Sequence, residues 1–235
     1  MKNSGDNIKA QNANWKFNGN MVENFEEHIS KSVPLYKEGH KLVENLSDYF
    51  IKDDSFCYEL GSSTGILINN IAKKNQNKDA KFIGLEIEKD MVDKANKLYK
   101  LNNLEFINED INNFKFNKSD MIISYYSIQF IHPKHRQLLF DKIYNSLNWG
   151  GAFVFFEKVR ANDARFQDIL TNLYTEYKLE VGYSADEIIS KTKSLKGVLE
   201  PFSTQGNIDL LKRAGFEDFI TIQKYMNFEG FLAIK

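Results

Sequence analysis

The 235-residue sequence predicts an α/β fold: a doubly wound, mostly parallel seven-stranded sheet with an antiparallel last strand, N-terminal helices and a helical insert before the sixth strand. Two observations predict it. Five short apolar runs alternate with segments of helical spacing, the pattern of parallel strands joined by crossover helices. The last two apolar runs are joined by too few residues for a crossover helix, so they should pair antiparallel.

The elements follow in chain order. The stretch to Asn20 is rich in Asn and Lys, lacks periodicity, and is expected to fray or wrap the surface. Val22, Phe25, Ile29, Val33, Leu42, Leu46 and Phe50 recur at helical spacing, and Pro34 interrupts them, which predicts two helices. Residues 56–60 form a short apolar run that ends in the cluster Gly61-Ser62-Ser63-Thr64-Gly65, after which Ile66, Leu67, Ile68, Ile71 and Ala72 mark a helix. Residues 81–86 predict a second strand, with a helix over 89–101. A third strand over 104–107 leads to a polar turn near Asn112. A fourth over 121–124 leads to a helix from about 134 to 147, and a fifth over 151–156 follows the Asn148-Trp149-Gly150 stop. Residues 219–222 and 231–234 are the closing pair, connected by 223–230. The insert, 161–202, shows helical spacing at Phe166, Ile169, Leu170, Leu173, Tyr174 and Tyr177.

This length suits one α/β domain with appendages. Residues 1–50 are expected to form a helical extension and 51–235 the ligand-binding domain with its insert 161–202, and the N-terminal helices and the insert together are expected to fold over the crevice as a lid. The chain is 42% hydrophobic and 27% charged with three prolines, which excludes a disordered chain. Cys57 is the single cysteine, so neither an intrachain disulfide nor a cysteine-built zinc site can form. A net charge of −1 lacks the basic surplus of a nucleic-acid binder, and no direct nucleic-acid binding is expected. No stretch of about 18 apolar residues occurs, so a membrane span is not expected and a cytoplasmic setting is.

Three strand ends carry the chemistry. The loop 61–65 lies where an open α/β sheet binds ligands, with glycines that let a ligand approach the backbone. The other reading is an ordinary strand-to-helix turn. A Walker A loop is excluded because the Gly-Lys-Ser/Thr ending is absent, and the dinucleotide fingerprint lacks its third glycine. Glu86, ending the second strand, either accepts hydrogen bonds from two ribose hydroxyls or caps the next helix. Asp110 with Ile111, after the third strand, either receives and covers an adenine ring or forms an Asx turn. One adenosyl ligand lying across the crevice would touch all three. The arrangement, with its antiparallel last strand, resembles the class I S-adenosylmethionine-dependent methyltransferases and their Rossmann-like fold.

Within that superfamily the chain is similar to the carboxy-S-adenosylmethionine synthase family, from about Phe17 to its end. The segments that carry the resemblance are 32–36 (Ser-Val-Pro-Leu-Tyr), 58–65, Ile128-Gln129-Phe130 leading into Arg136-Gln137 and 141–144, Gly150-Gly151 with Glu157-Lys158, and Gly182-Tyr183-Ser184. The resemblance places Tyr36, Gly61, Ser62, Ser63, Glu86, Ile87, Asp110 and Ile111 at cofactor positions, with Glu86 where the family usually has Asp. Two departures follow from it. The family's cofactor-contacting asparagine falls on Tyr125, and the arginine that grips the extra carboxylate of the modified cofactor falls on Thr192.

An arginine offers a carboxylate a fixed two-pronged donor and threonine one hydroxyl, so this substitution favours plain methyl transfer. Three readings therefore stand: a methyltransferase for a small-molecule acceptor, a carboxy-S-adenosylmethionine synthase using S-adenosylmethionine and prephenate for tRNA wobble-uridine modification, and a non-catalytic cofactor-binding protein. Tyr36, Tyr125, Tyr126, Ser127, Tyr174, Tyr177 and Tyr183 are the candidates to build the acceptor pocket, with Thr192 beside it; core packing is the other account of the tyrosines. Tyr125, His132 and Tyr183 are the catalytic candidates. His132 is either a general base or a loop residue ahead of Pro133. Glu157 and Lys158 either pair structurally or touch substrate. No His/Asp/Glu set has metal-ligand spacing. The expected partners are a small-molecule substrate and a second copy of the chain.

Overall fold

Local propensity and apolar spacing become two packed layers of helix on a central sheet. The computed structural model describes residues 2–6, 9–17 and 20–235. The sheet strands are β1 (Phe56–Leu60), β2 (Lys81–Glu86), β3 (Leu104–Asn108), β4 (Ser119–Tyr125), β5 (Leu147–Lys158), β6 (Asp218–Tyr225) and β7 (Phe228–Ile234). Their order is β3-β2-β1-β4-β5-β7-β6. β3 through β5 run parallel, and β7 pairs antiparallel with both β5 and β6. The order reverses beside β1, where β1 pairs with both β2 and β4 and ligands of open α/β sheets bind.

Alternation along the strands feeds two cores. Cys57, Phe82, Met121, Ile123, Val154 and Phe156 face one layer, against Val43, Ile68, Ile71 and Ala95. Tyr58, Leu60, Ile83, Leu85, Phe153, Phe155 and Phe231 face the other, against Leu139, Phe140, Ile143 and Leu211. The helices are α1 (Asn20–Ser32), α2 (Tyr36–Phe50), α3 (Ile66–Lys74), α4 (Lys89–Leu98), α5 (Pro133–Ser146), α6 (Ala164–Glu180), α7 (Ala185–Ser194) and α8 (Thr204–Ala214).

Several predicted boundaries move. The closing strands meet in a two-residue turn at Met226-Asn227 rather than an eight-residue connection, because Gln223, Lys224 and Tyr225 continue the edge strand and Tyr225 pairs with Phe228. Polar residues on an edge strand read as loop in sequence. β5 starts at Leu147, so the expected stop Asn148-Trp149-Gly150 lies inside the strand at a register irregularity. α4 ends at Leu98, where Tyr99 turns extended with ψ 128°. α7 is opened by a capping box between Ser184 and Glu187.

The N-terminal stretch wraps rather than frays where it is described. Lys2–Asn3 pairs with Lys9–Ala10, and Trp15 is buried with Met21, Val22, Phe25 and Met91. Met1, Asn7, Ile8, Asn18 and Gly19, which the same expectation covered, lie outside the described residues. Among the described residues, no helix is long and apolar enough to cross a membrane.

Candidate functional site

A cleft of about 380 Å³ opens at the carboxyl ends of β1, β2, β3 and β4. Its floor is the turn after β1. Gly61 and Ser62 donate their amides to the Leu85 carbonyl at 2.8 and 2.9 Å, which folds the chain back toward β2. Gly61 has φ +70°, a conformation L side chains rarely adopt, and a Cβ there would collide with the Ser127 side chain. Helix α3 then starts without a side-chain cap of its own. Glu59, at 4% exposure, supplies one from β1 by accepting the Ile68 amide at 3.0 Å.

Glu86 holds the cleft together. Its Oε2 accepts the Ser63 amide at 2.8 Å and its Oε1 accepts the Glu88 amide at 3.0 Å. A carboxylate has about four acceptor positions, so two remain for ligand hydroxyls, and the two readings of Glu86 are compatible. Asp110 forms the Asx turn, accepting the Asn112 amide at 2.9 Å and its side-chain amide at 2.8 Å, while it also lines the cleft. Burial pushes the carboxyls of Glu86, Glu59 and Glu26 above the ordinary range. Glu26 accepts a hydrogen bond from Thr64, tying α1 to the glycine loop. No sequence signal marked Glu26, whose neighbours Phe25 and Ile29 read only as a helix face.

Of the sequence-predicted cofactor residues, Tyr36, Gly61, Ser63, Glu86, Ile87, Asp110, Ile111 and Tyr125 line the cleft together. Ser62 is not brought to it. Its side chain is 4% exposed and turns under the sheet, where a Cβ on Gly84 would meet Ser62 Oγ at 2.7 Å. Ile87 is an apolar side chain 63% exposed beside the cleft. Phe17, Phe25, Ile29, Met91, Gln129 and Phe130 also line it. All but Gln129 are apolar, a character legible in the sequence although their location was not.

The catalytic and acceptor candidates separate. Tyr126 lines the cleft with φ +60° and a buried hydroxyl that has no partner among the described residues, and burial pushes that phenol up. His132 is exposed at the rim and its Nδ1 accepts the Lys134 amide at 3.3 Å, capping α5. Tyr183 is not in the cleft; it is buried and donates to Asp6 Oδ2 at 2.5 Å. Tyr177 stands away from it too, stacked on Tyr174 with centroids 6.2 Å apart. Thr192 sits on the exposed side of α7, and Lys191, one position earlier, is the residue that turns inward. About 100° of helix rotation separates neighbouring positions, which accounts for the difference. Glu157 and Lys158 form no pair, because neighbours on a strand face opposite sides of the sheet. Glu157 is fully buried with its carboxyl pushed up to about 8 by desolvation.

Comparison with known proteins fits this geometry. A family profile described as a methyltransferase domain matches residues 58–151. The carboxy-S-adenosyl-L-methionine synthase of Staphylococcus epidermidis is 37% identical over 225 residues, 94% of this chain and 97% of that protein. The protein of the same name from Nautilia profundicola is 35% identical, covering 94% of each chain. An S-adenosylmethionine-dependent methyltransferase structure from Methanosarcina mazei superposes with a TM-score of 0.60 at 14% identity, over 81% of this chain and 96% of that one. The three-strand-end cleft in a sheet with an antiparallel last strand, and similarity running the length of the relatives, lead to one assignment: the chain belongs to the carboxy-S-adenosyl-L-methionine synthase family and is an S-adenosylmethionine-dependent transferase.

Proposed function

We propose that the chain makes carboxy-S-adenosylmethionine, using prephenate as the carboxyl donor. The observation that carries this reading is the similarity to the synthases over 97% of the length of the Staphylococcus protein. The substitution at Thr192 bears on it less than the sequence alone implies. That side chain is exposed, so within one chain its position offers no grip on a ligand in the cleft.

The residues present fit the cofactor. Glu86 has acceptor capacity left for the ribose hydroxyls, and Asp110 and Ile111 stand at the end of β3 for the adenine. Gly61 lines the cleft with bare backbone, and a Cβ there would collide with Ser127, another lining residue. When bound, the sulfonium supplies the activation of the carbon next to it. The chain's own part is to orient the two reactants and exclude water. Phe17, Phe25 and Ile29 serve the second task by covering the cleft from the N-terminal segment, which is the lid role expected of residues 1–50.

Mass spectrometry of the purified chain incubated with S-adenosylmethionine, with and without prephenate, tests the reading. A product heavier than the cofactor by one carbon dioxide, formed only with prephenate, supports it. Plain methyl transfer to a small-molecule acceptor is the second reading, favoured by Tyr125 and Thr192 standing where the family has Asn and Arg. It would give S-adenosylhomocysteine and no carboxylated product. The apolar side chains Phe166, Ile169 and Leu173, exposed at helical spacing on α6, support a homodimer as the working assembly.

A further inference from the structure

Behind Tyr126 lies a second group of charges that the cleft does not use. Lys178 on α6 is 3% exposed and makes no hydrogen bond or ion pair among the described residues. Its Nζ stands 4.3 Å from the Tyr183 ring centroid and 5.6 Å from that of Tyr174. Lys158, at the end of β5, has its Nζ 4.2 Å from the Tyr174 ring and 5.6 Å from Phe228, again with no hydrogen bond or ion pair to its side chain. Lys191 on α7 contacts His28 Nε2 at 2.6 Å and Ser32 Oγ at 2.7 Å.

The carboxylate of this group is Asp6, and it is already taken. His28 Nδ1 lies 2.6 Å from its Oδ2, Tyr183 donates to the same oxygen at 2.5 Å, and Lys31 reaches Oδ1 at 3.3 Å. Among the described residues, the buried ammonium of Lys178 and the half-buried one of Lys158 thus have no counter-ion. An aromatic face returns only part of that cost, and a fold that needed packing alone would be more stable with Met or Leu there. Burial draws Lys158 and Lys178 down to about 8 and Lys191 well below its usual value. Lys178 and Lys196 push Lys158 the same way, while Asp6 and Glu187 oppose the shift at Lys178.

The cluster shares a wall with the cleft. Tyr126, which lines the cleft, packs on Phe228 at 5.9 Å, and Phe228 packs on Tyr174 at 5.2 Å. Gln129, another lining residue, accepts the Lys158 amide at 2.9 Å. We propose that Lys158, Lys178 and Lys191 form a binding site for the carboxylate of a small organic acid, seated over Tyr174 and next to the Tyr126 end of the cleft. The proposal rests on the reading above only in making that acid the second substrate; anion binding stands or falls without the cofactor.

Thermal denaturation of the full chain, titrated with malonate or inorganic phosphate at constant ionic strength, tests it. Malonate should raise the Tm saturably. Lys178→Met and Lys158→Met should each weaken that response by about tenfold or more, and Lys212→Met, an exposed control, should leave it unchanged. If one variant fails to fold, the other still gives the readout. Calorimetry at pH 8 in two buffers of different ionisation enthalpy should show proton uptake on malonate binding, which a purely structural lysine would not give. The absence of a saturable malonate effect, or an effect in both variants undiminished from wild type, overturns the site. A saturable effect of phosphate alone overturns the carboxylate assignment. S-adenosylhomocysteine binding, measured separately, keeps failure of the cofactor reading distinct.

Discussion

The hydroxyl of Tyr125 donates to the backbone carbonyl of Tyr36 at 2.7 Å, and the two rings meet edge to face at 5.2 Å. This contact joins the end of β4 to the first turn of α2 at the cleft, with the pair enclosed by His40 and Phe156. Tyr125→Phe keeps the ring and removes the second hydrogen bond on a carbonyl that also serves the first turn of α2. The change should cost about 0.5–1.5 kcal/mol of stability in urea denaturation, the range for one intramolecular hydrogen bond. A variant as stable as wild type would show that the hydroxyl is dispensable to the junction.

Glu86 is expected to act both on the loop and on the ligand. Glu86→Ala should weaken S-adenosylhomocysteine binding by about 1.5–3 kcal/mol in calorimetry. The same change frees the Ser63 and Glu88 amides, so hydrogen exchange across residues 61–65 should speed up in the unliganded protein. Unchanged affinity with faster exchange would assign Glu86 to the loop alone.

The lysine cluster gives a stability prediction with a definite sign. Lys178 titrates near 8 in the folded chain against an ordinary value of 10.5, so the folded state disfavours its charged form. Its cost to stability is full below pH 8 and fades as the pH rises toward 10.5. Lys178→Met should therefore stabilise the unliganded protein at pH 7 by about 1–3 kcal/mol, and the gain should shrink by pH 10. Glu157 behaves in the opposite sense over a lower range. Its carboxyl, raised to about 8, contributes stability that is present below about 4.5 and lost as the pH rises through 8. Glu157→Gln should flatten that loss in pH-dependent thermal melts.

The covering segments should respond unequally to ligand. Phe25 and Ile29 line the cleft, whereas α6 and α7 reach it at second hand, through α1 by Tyr174 donating to the Ser32 carbonyl at 2.7 Å and by Lys191, and through Phe228 behind Tyr126. Adding S-adenosylhomocysteine should slow hydrogen exchange strongly in α1 and weakly in α6 and α7. Equal exchange in α1 with and without ligand would contradict its role as a cover.

Much of this was legible in the sequence because it is local. The apolar runs and helical spacing gave the strand order's ingredients, and the loop at Gly61 with Glu86 and Asp110 marked three strand ends that the structure gathers around one cleft. What escaped depends on contacts between distant segments. Glu26 reaches Thr64 across 38 positions, and Lys191 reaches His28 across 163, and neither pairing leaves a spacing to read. Tyr183 looked like a cleft residue because it stands in a family-like segment. Its hydroxyl is instead held by Asp6, 177 positions away. Thr192 was weighed as a pocket residue because the family's carboxylate-gripping arginine falls on it, and the resemblance could not show that this position of α7 faces outward.

The central claim is that the cleft between Gly61 and Glu86 holds S-adenosylmethionine, and one titration tests it most directly. Calorimetry with S-adenosylhomocysteine should show saturable binding to the wild-type chain and none to Gly61→Arg, in which a long side chain enters the space beside Ser127 and the ligand. Circular dichroism on the variant establishes that it is folded. Undiminished affinity in a folded Gly61→Arg protein would contradict the account.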